Sequence, residues 1–170
     1  MMKNSIVLRC LVLLVLVSGF AFSKDAFELK DTNEIYFLPK HADKTKDKIV
    51  DLIKESKSSI YISMYNFSYK KFAKQLVKKS KEKINITVIF DKSKVKKDDE
   101  IYKMLKKSGI KTIIADKKLH TKIAIFDEKV LVLGSTNWTK DSFKDNYEVI
   151  LFTRDNKIIE KSKKFVQKFD

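Results

Sequence analysis

In the run KLHTKIAIFDEKVLVLGSTNW, residues 118–138, His120 is one of only two histidines in a chain of 170 residues, and Lys122 follows two places on. Side chains of an extended strand alternate between faces, so His120, Lys122, Ala124 and Phe126 share one side while Thr121, Ile123 and Ile125 share the other. A turn at Asp127-Glu128-Lys129 would return the chain as VLVLGSTN. Ser135 and Asn137 then fall on one face near the sheet end, beside Gly134, where a backbone can approach closely. An imidazole, an ammonium, a hydroxyl and a carboxamide converging in this way suit a phosphodiester. Lys122 supplies fixed positive charge, Ser135 and Asn137 donate hydrogen bonds to non-bridging oxygens, and His120 acts as nucleophile or proton carrier near neutral pH. Asp127 has the parity opposite to His120, which favours a turn-forming support role over a direct one.

The elements that must position these groups follow from periodicity. NEIYFLP (33–39) reads as a short strand ended by the only proline, and 43–57 as a helix with Ile49, Leu52 and Ile53 on one face. Residues 58–68 form a strand with alternating Ile60, Ile62 and Met64, 69–83 a helix carrying Phe72, Ala73, Leu76 and Val77, and 84–91 a strand. A charged loop (92–99) leads to a helix over 100–109 that Gly109 ends. Strands at 110–116, 120–127, 129–136 and 146–153 precede a closing helix from residue 156. The pattern predicts an α/β fold with a mixed β-sheet flanked by helices on both faces, in a single domain without repeats or low-complexity tracts.

The first 23 residues combine Lys3 and Arg9 with an apolar run from Cys10 to Phe22 and small residues before Lys24. They read as a secretory signal peptide, with an uncleaved N-terminal anchor as the competing reading, so the body, 24–170, is expected to be exported, either periplasmic or membrane-associated and facing outward. Without residues 1–23 no cysteine remains, which excludes a disulfide, a thiol nucleophile and a thiolate metal site. The body keeps a net charge of +13 and has a single arginine, Arg154, among its basic residues. Lysine charge suits diffuse attraction to phosphates better than bidentate base reading, so salt-sensitive binding of a polyanion with low sequence preference is expected. The lysine runs at 70–71, 78–81, 92–97 and 106–107 read first as solvated faces, some of them able to track a polyanion. Trp138, Tyr65 and Phe67 read as core at least as well as base-stacking groups. Two histidines and no cysteine make a common zinc set unattainable within one body, so neither a metal nor another cofactor is expected.

The spacing H-x-K-x4-D-x6-G-S-x-N resembles the phospholipase D superfamily, in particular its small secreted bacterial endonucleases of the Nuc type, with one HKD half per chain. His120, Lys122, Asp127, Gly134, Ser135 and Asn137 carry the resemblance, Glu148 in NYEVILF adds to it, and it extends from about Tyr36 onward. The basic loop KSKVKKDD and Trp138 depart from the family pattern. The resemblance implies a phosphohistidine intermediate formed on His120, proton transfer by a second histidine, and a homodimer that brings two motifs together. One imidazole cannot be neutral nucleophile and charged donor at once, which supports a pair; His41, in PKHADK, is a poor substitute. The resemblance also makes Glu148 the residue that orients His120, and a carboxylate within an apolar strand would itself require a partner. Catalysis is thus expected from His120, Lys122, Asp127 and Glu148, and phosphate binding from Lys122, Ser135 and Asn137. DNA, with RNA possible, is the expected partner. A phospholipase acting on membrane lipids and a non-catalytic basic nucleic-acid binder are the alternatives.

Overall fold

The computed structural model describes residues 33–95 and 99–169; the leader read in residues 1–23 lies outside them. Seven strands alternate with five α-helices: β1 (Glu34–Leu38), α1 (Ala42–Glu55), β2 (Ser59–Met64), α2 (Lys70–Ser80), β3 (Asn85–Asp91), α3 (Glu100–Lys107), β4 (Lys111–Ala115), β5 (Lys122–Phe126), β6 (Val130–Gly134), α4 (Lys140–Lys144), β7 (Glu148–Thr153) and α5 (Asn156–Val166). One mixed sheet runs in the order β1-β7-β6-β5-β2-β3-β4. β2, β3 and β4 are parallel, as the intervening helices require, and the remaining pairs are antiparallel.

The alternation along each strand divides the apolar residues between two cores. Ile60, Ile62, Met64, Val88, Phe90, Ala124, Phe126 and Val132 pack beneath the apolar stripes of α1, α2 and α3, which contribute Ile49, Ile53, Phe72, Leu76, Ile101 and Leu105. On the opposite face Ile89, Ile125 and Leu131 pack with Ile159 and Val166 of α5. Helices therefore lie on both faces of the sheet, as expected from the sequence. Trp138 is buried against Phe67 and Phe72 and belongs to the first core.

Local chemistry fixes the boundaries. Asp99, Thr139 and Asp155 cap α3, α4 and α5 by accepting backbone N–H bonds from Tyr102, Ser142, and Lys157 with Ile158. The β5–β6 hairpin turns through Asp127 and Glu128, both at positive φ (51° and 56°), the backbone of a two-residue turn whose twist matches the flanking strands. At Gly134 a Cβ would stand 2.1 Å from the Val149 carbonyl oxygen, so only glycine lets β6 approach β7 this closely.

Candidate active site

The C-terminal ends of β2, β3, β4 and β6 meet the N-terminal ends of β5 and β7 along one end of the sheet. His120 lies there, two residues before β5 begins at Lys122, and not on the strand as the sequence reading has it. The chain leading into the strand is bound from both sides. Leu119 N–H donates to Asp91 Oδ2 at 2.6 Å, Tyr65 N–H donates to the Thr121 carbonyl at 2.9 Å, and the Ser63 and Thr121 hydroxyls meet at 2.6 Å. An exposed imidazole thus stands on a pinned backbone, the preorganisation a nucleophile needs. Its ring packs on Tyr65, centroid to centroid 4.5 Å.

Asp91, at the end of β3, is 1% exposed. Burial alone would raise its pKa, but hydrogen bonds from the Ser93 hydroxyl and the Leu119 and Ser93 N–H groups outweigh it and hold the carboxyl below the ordinary value. The sequence points to Tyr65 only as a core or base-stacking ring, and nothing in it singles out Asp91. The available signal was a carboxylate closing the apolar strand INITVIFD, which needs donors wherever it is buried.

Lys122 is the buried charge of the site, 9% exposed. Its Nζ donates to the His120 carbonyl at 3.0 Å and lies 3.3 Å from each imidazole nitrogen, so the predicted pairing of these two side chains is present. Burial draws its pKa below the ordinary lysine value, while the Glu148 carboxylate and Tyr65 pull the other way.

The return strand brings the remaining groups to the same end. The Ser135 hydroxyl donates to Glu148 Oε2 and accepts from Val149 N–H at 3.1 Å, and Asn146 Nδ2 reaches Glu148 Oε1 at 3.3 Å. Glu148 therefore acts electrostatically on Lys122 and is held by Ser135, but among the described residues it makes no hydrogen bond to His120 of its own chain. The expectation that it orients that imidazole is corrected in this respect: Glu148 opens β7 half-exposed, so the partner that a buried carboxylate would demand is not needed. Asn137 Oδ1 is buried without a partner, and its amide is not engaged by any described side chain.

Asp127 is not brought into the site. It lies at the other end of β5, about 20 Å away by strand rise. There it accepts N–H bonds from Lys57 (2.7 Å), Ser58 (2.7 Å) and Ser59 (3.0 Å) and the Ser58 hydroxyl (2.9 Å). Its place among the catalytic candidates is withdrawn in favour of the support role that its parity indicated. Burial raises its pKa and these donors more than offset that, leaving a net lowering. A carboxyl depressed in the folded state stabilises fully above the unfolded aspartate value of about 3.9, and that contribution is lost as pH falls through the folded value. Asp127→Ala is expected to cost about 1.5–3 kcal/mol. Thermal melts should show the gap to wild type narrowing below about pH 4, while turnover of the folded variant falls by less than about tenfold. A larger fall in turnover with normal stability would return Asp127 to the chemistry.

His41 is structural: its Nδ1 accepts from Phe37 N–H at 3.2 Å, and its ring meets Tyr36 edge-on. Among the described residues no group of His, Cys, Asp or Glu is gathered that could hold a metal ion.

Comparison with known proteins places this arrangement. Residues 49–170 match the family described as cardiolipin synthase, phospholipase D-like domain. NucT from Helicobacter pylori superimposes with a TM-score of 0.76 at 26% identity, over 82% of this chain and 96% of that one. Nuc from Salmonella typhimurium, a phospholipase D family member, superimposes with a TM-score of 0.74 at 20% identity, over 82% and 94%. Among curated proteins, the mitochondrial cardiolipin hydrolase of Mus musculus is 25% identical over 76% of this chain, and the phospholipase D of Rickettsia prowazekii (strain Madrid E) 29% over 66%. The chain spans 58% and 56% of the length of those two relatives. By its matched domain, its fold and its His120-Lys122 motif, the chain belongs to the phospholipase D superfamily and is of the Nuc type.

Proposed function

We propose that this chain is an exported, metal-independent endonuclease that hydrolyses DNA with low sequence preference as a homodimer. The observation that carries the reading is the exposed His120 imidazole on its pinned loop against the buried Lys122 ammonium, in a strongly basic chain whose fold is that of the Nuc proteins. Outside the cytoplasm such an enzyme could serve DNA uptake or nucleotide scavenging without harming the genome.

In the first step a ring nitrogen of His120 attacks phosphorus, a P–N bond forms, and the P–O bond to the leaving oxygen breaks as the partner's His120 delivers its proton. Water then attacks phosphorus, gives its proton to the partner's His120, and the P–N bond breaks. Lys122 balances the charge on the non-bridging oxygens throughout and the Asn137 amide donates a hydrogen bond to them, whereas Ser135, expected from the sequence to do the same, commits its one hydroxyl proton to Glu148 and holds that carboxylate in place.

α5 packs against β2, β5 and β6 and leaves the β1–β7 side of that sheet face uncovered. Ile35 (56%), Phe37 (57%) and Tyr147 (95%) are exposed there. A groove of about 310 Å³ lined by Phe37, Tyr147 and Val149 runs into Ser135 and Glu148. An apolar rim bordering half of a two-histidine site fits a self-complementary contact.

A phospholipase reading is favoured by the names of the curated relatives, a cardiolipin hydrolase and a phospholipase D. Plasmid nicking in excess EDTA, run beside hydrolysis of phosphatidylcholine and cardiolipin vesicles, decides between them. Nicking undiminished by the chelator is expected; lipid hydrolysis without nicking would reverse the order, and pure protein that binds DNA but cuts nothing would leave a non-catalytic binder.

A further inference from the structure

Beside the reaction centre lies a second cleft, about 280 Å³, lined by Tyr65, Asp91, Lys92, Ser93 and Lys118. It opens at the C-terminal ends of the parallel strands β2 and β3, where ligands of open α/β sheets characteristically bind. Lys118 precedes His120 by two residues, and Tyr65 is shared with the reaction centre through its contact with the imidazole.

The cleft presents two lysines and no free carboxylate. Its one acid, Asp91, is buried and saturated by Ser93 and Leu119, so it fixes the loop without presenting a carboxylate oxygen to a ligand. The same loop is tightened by Lys94 and Val95 N–H bonds to the Asp91 carbonyl at 3.0 and 3.3 Å. Lys92 Nζ is steadied by the Asp116 carbonyl at 2.8 Å. Lys94 Nζ lies 4.7 Å from the Tyr65 ring centroid and Lys122 Nζ 5.1 Å from the same centroid, so these two ammoniums stand within about 10 Å of each other. Consecutive phosphates of one strand lie within that limit. An acyl chain would gain nothing from lysine walls.

We infer that this cleft is a subsite for the phosphate next to the scissile one, held by Lys92 and Lys118 with Lys94 between them and the reaction centre. The inference rests on the nuclease reading and deepens it: the preferred substrate is a nucleic-acid strand with consecutive phosphates, and an isolated diester uses only half of the site.

The test is the double variant Lys92→Ala with Lys118→Ala, which leaves Lys94 and its contact with Tyr65 in place. Steady-state cleavage of a single-stranded oligonucleotide and of bis(p-nitrophenyl) phosphate, which has no second phosphate, is compared between about 50 and 200 mM salt. The kcat/KM advantage of the oligonucleotide over the small diester should shrink by about tenfold, mostly through KM, and the salt slope of log KM should fall by about one. Equal losses on both substrates would show that the lysines only support the His120 loop, and an unaltered advantage and slope would remove the subsite while leaving the nuclease reading intact. A wild-type protein that hydrolyses phospholipid but no oligonucleotide would remove both.

Discussion

His120→Ala protein is expected to lose cleavage of any phosphodiester by at least about 10⁴-fold, the scale reached when a covalent nucleophile is deleted from a preorganised site. Its fold should survive, because the ring is exposed and the backbone on either side is held by Asp91 and Tyr65 through main-chain groups that the substitution leaves alone. A melt within about 0.5 kcal/mol of wild type is therefore the accompanying result. The complementary measurement is the mass of wild-type protein quenched within one turnover, which should show a phosphoryl adduct on His120. Full activity in the alanine variant would end the nucleophile assignment, and a missing adduct at saturating substrate would require water to attack directly.

Much of this site was legible because strand parity is a local rule. His120 and Lys122 point together, and the hairpin returns Gly134, Ser135 and Asn137 to the same end, as alternation requires. Family membership and the mixed sheet with helices on both faces followed from the motif and the element order. What parity cannot reveal is where a strand stops. β5 begins at Lys122, two residues after the imidazole, and the chain just before it is held by Asp91, 28 residues before Leu119, whose N–H it captures. The same distant contact makes Asp91 a positioning residue and exposes the imidazole. The resemblance pairs Glu148 with His120, and burial within an apolar strand supports that pairing; the residue instead opens β7 half-exposed, with the Ser135 hydroxyl as its donor. The five-residue α4, absent from the sequence reading, is too short to show a period and is announced only by its Thr139 cap.

The second large effect concerns pairing. Phe37→Glu places a charge in the exposed apolar rim of β1 without touching the core, since Phe37 contributes its backbone N–H, not its ring, to the His41 contact. Sedimentation should show a monomer at concentrations where the wild type is expected to sediment as a dimer, and turnover per chain should fall by about 100-fold or more, because a single imidazole cannot serve as neutral nucleophile and charged donor in one step. Tyr147→Ala, at the same rim, should weaken association in the same direction. Mixing His120→Ala with Lys122→Ala protein should restore little, since every shared site still lacks a required group, whereas sites complete within one chain would already be dead in both parents and equally silent. The decisive comparison is therefore the monomeric variant itself. If Phe37→Glu protein sediments as a monomer and keeps wild-type turnover, the proton donor must reside within the same chain and the symmetric site is wrong.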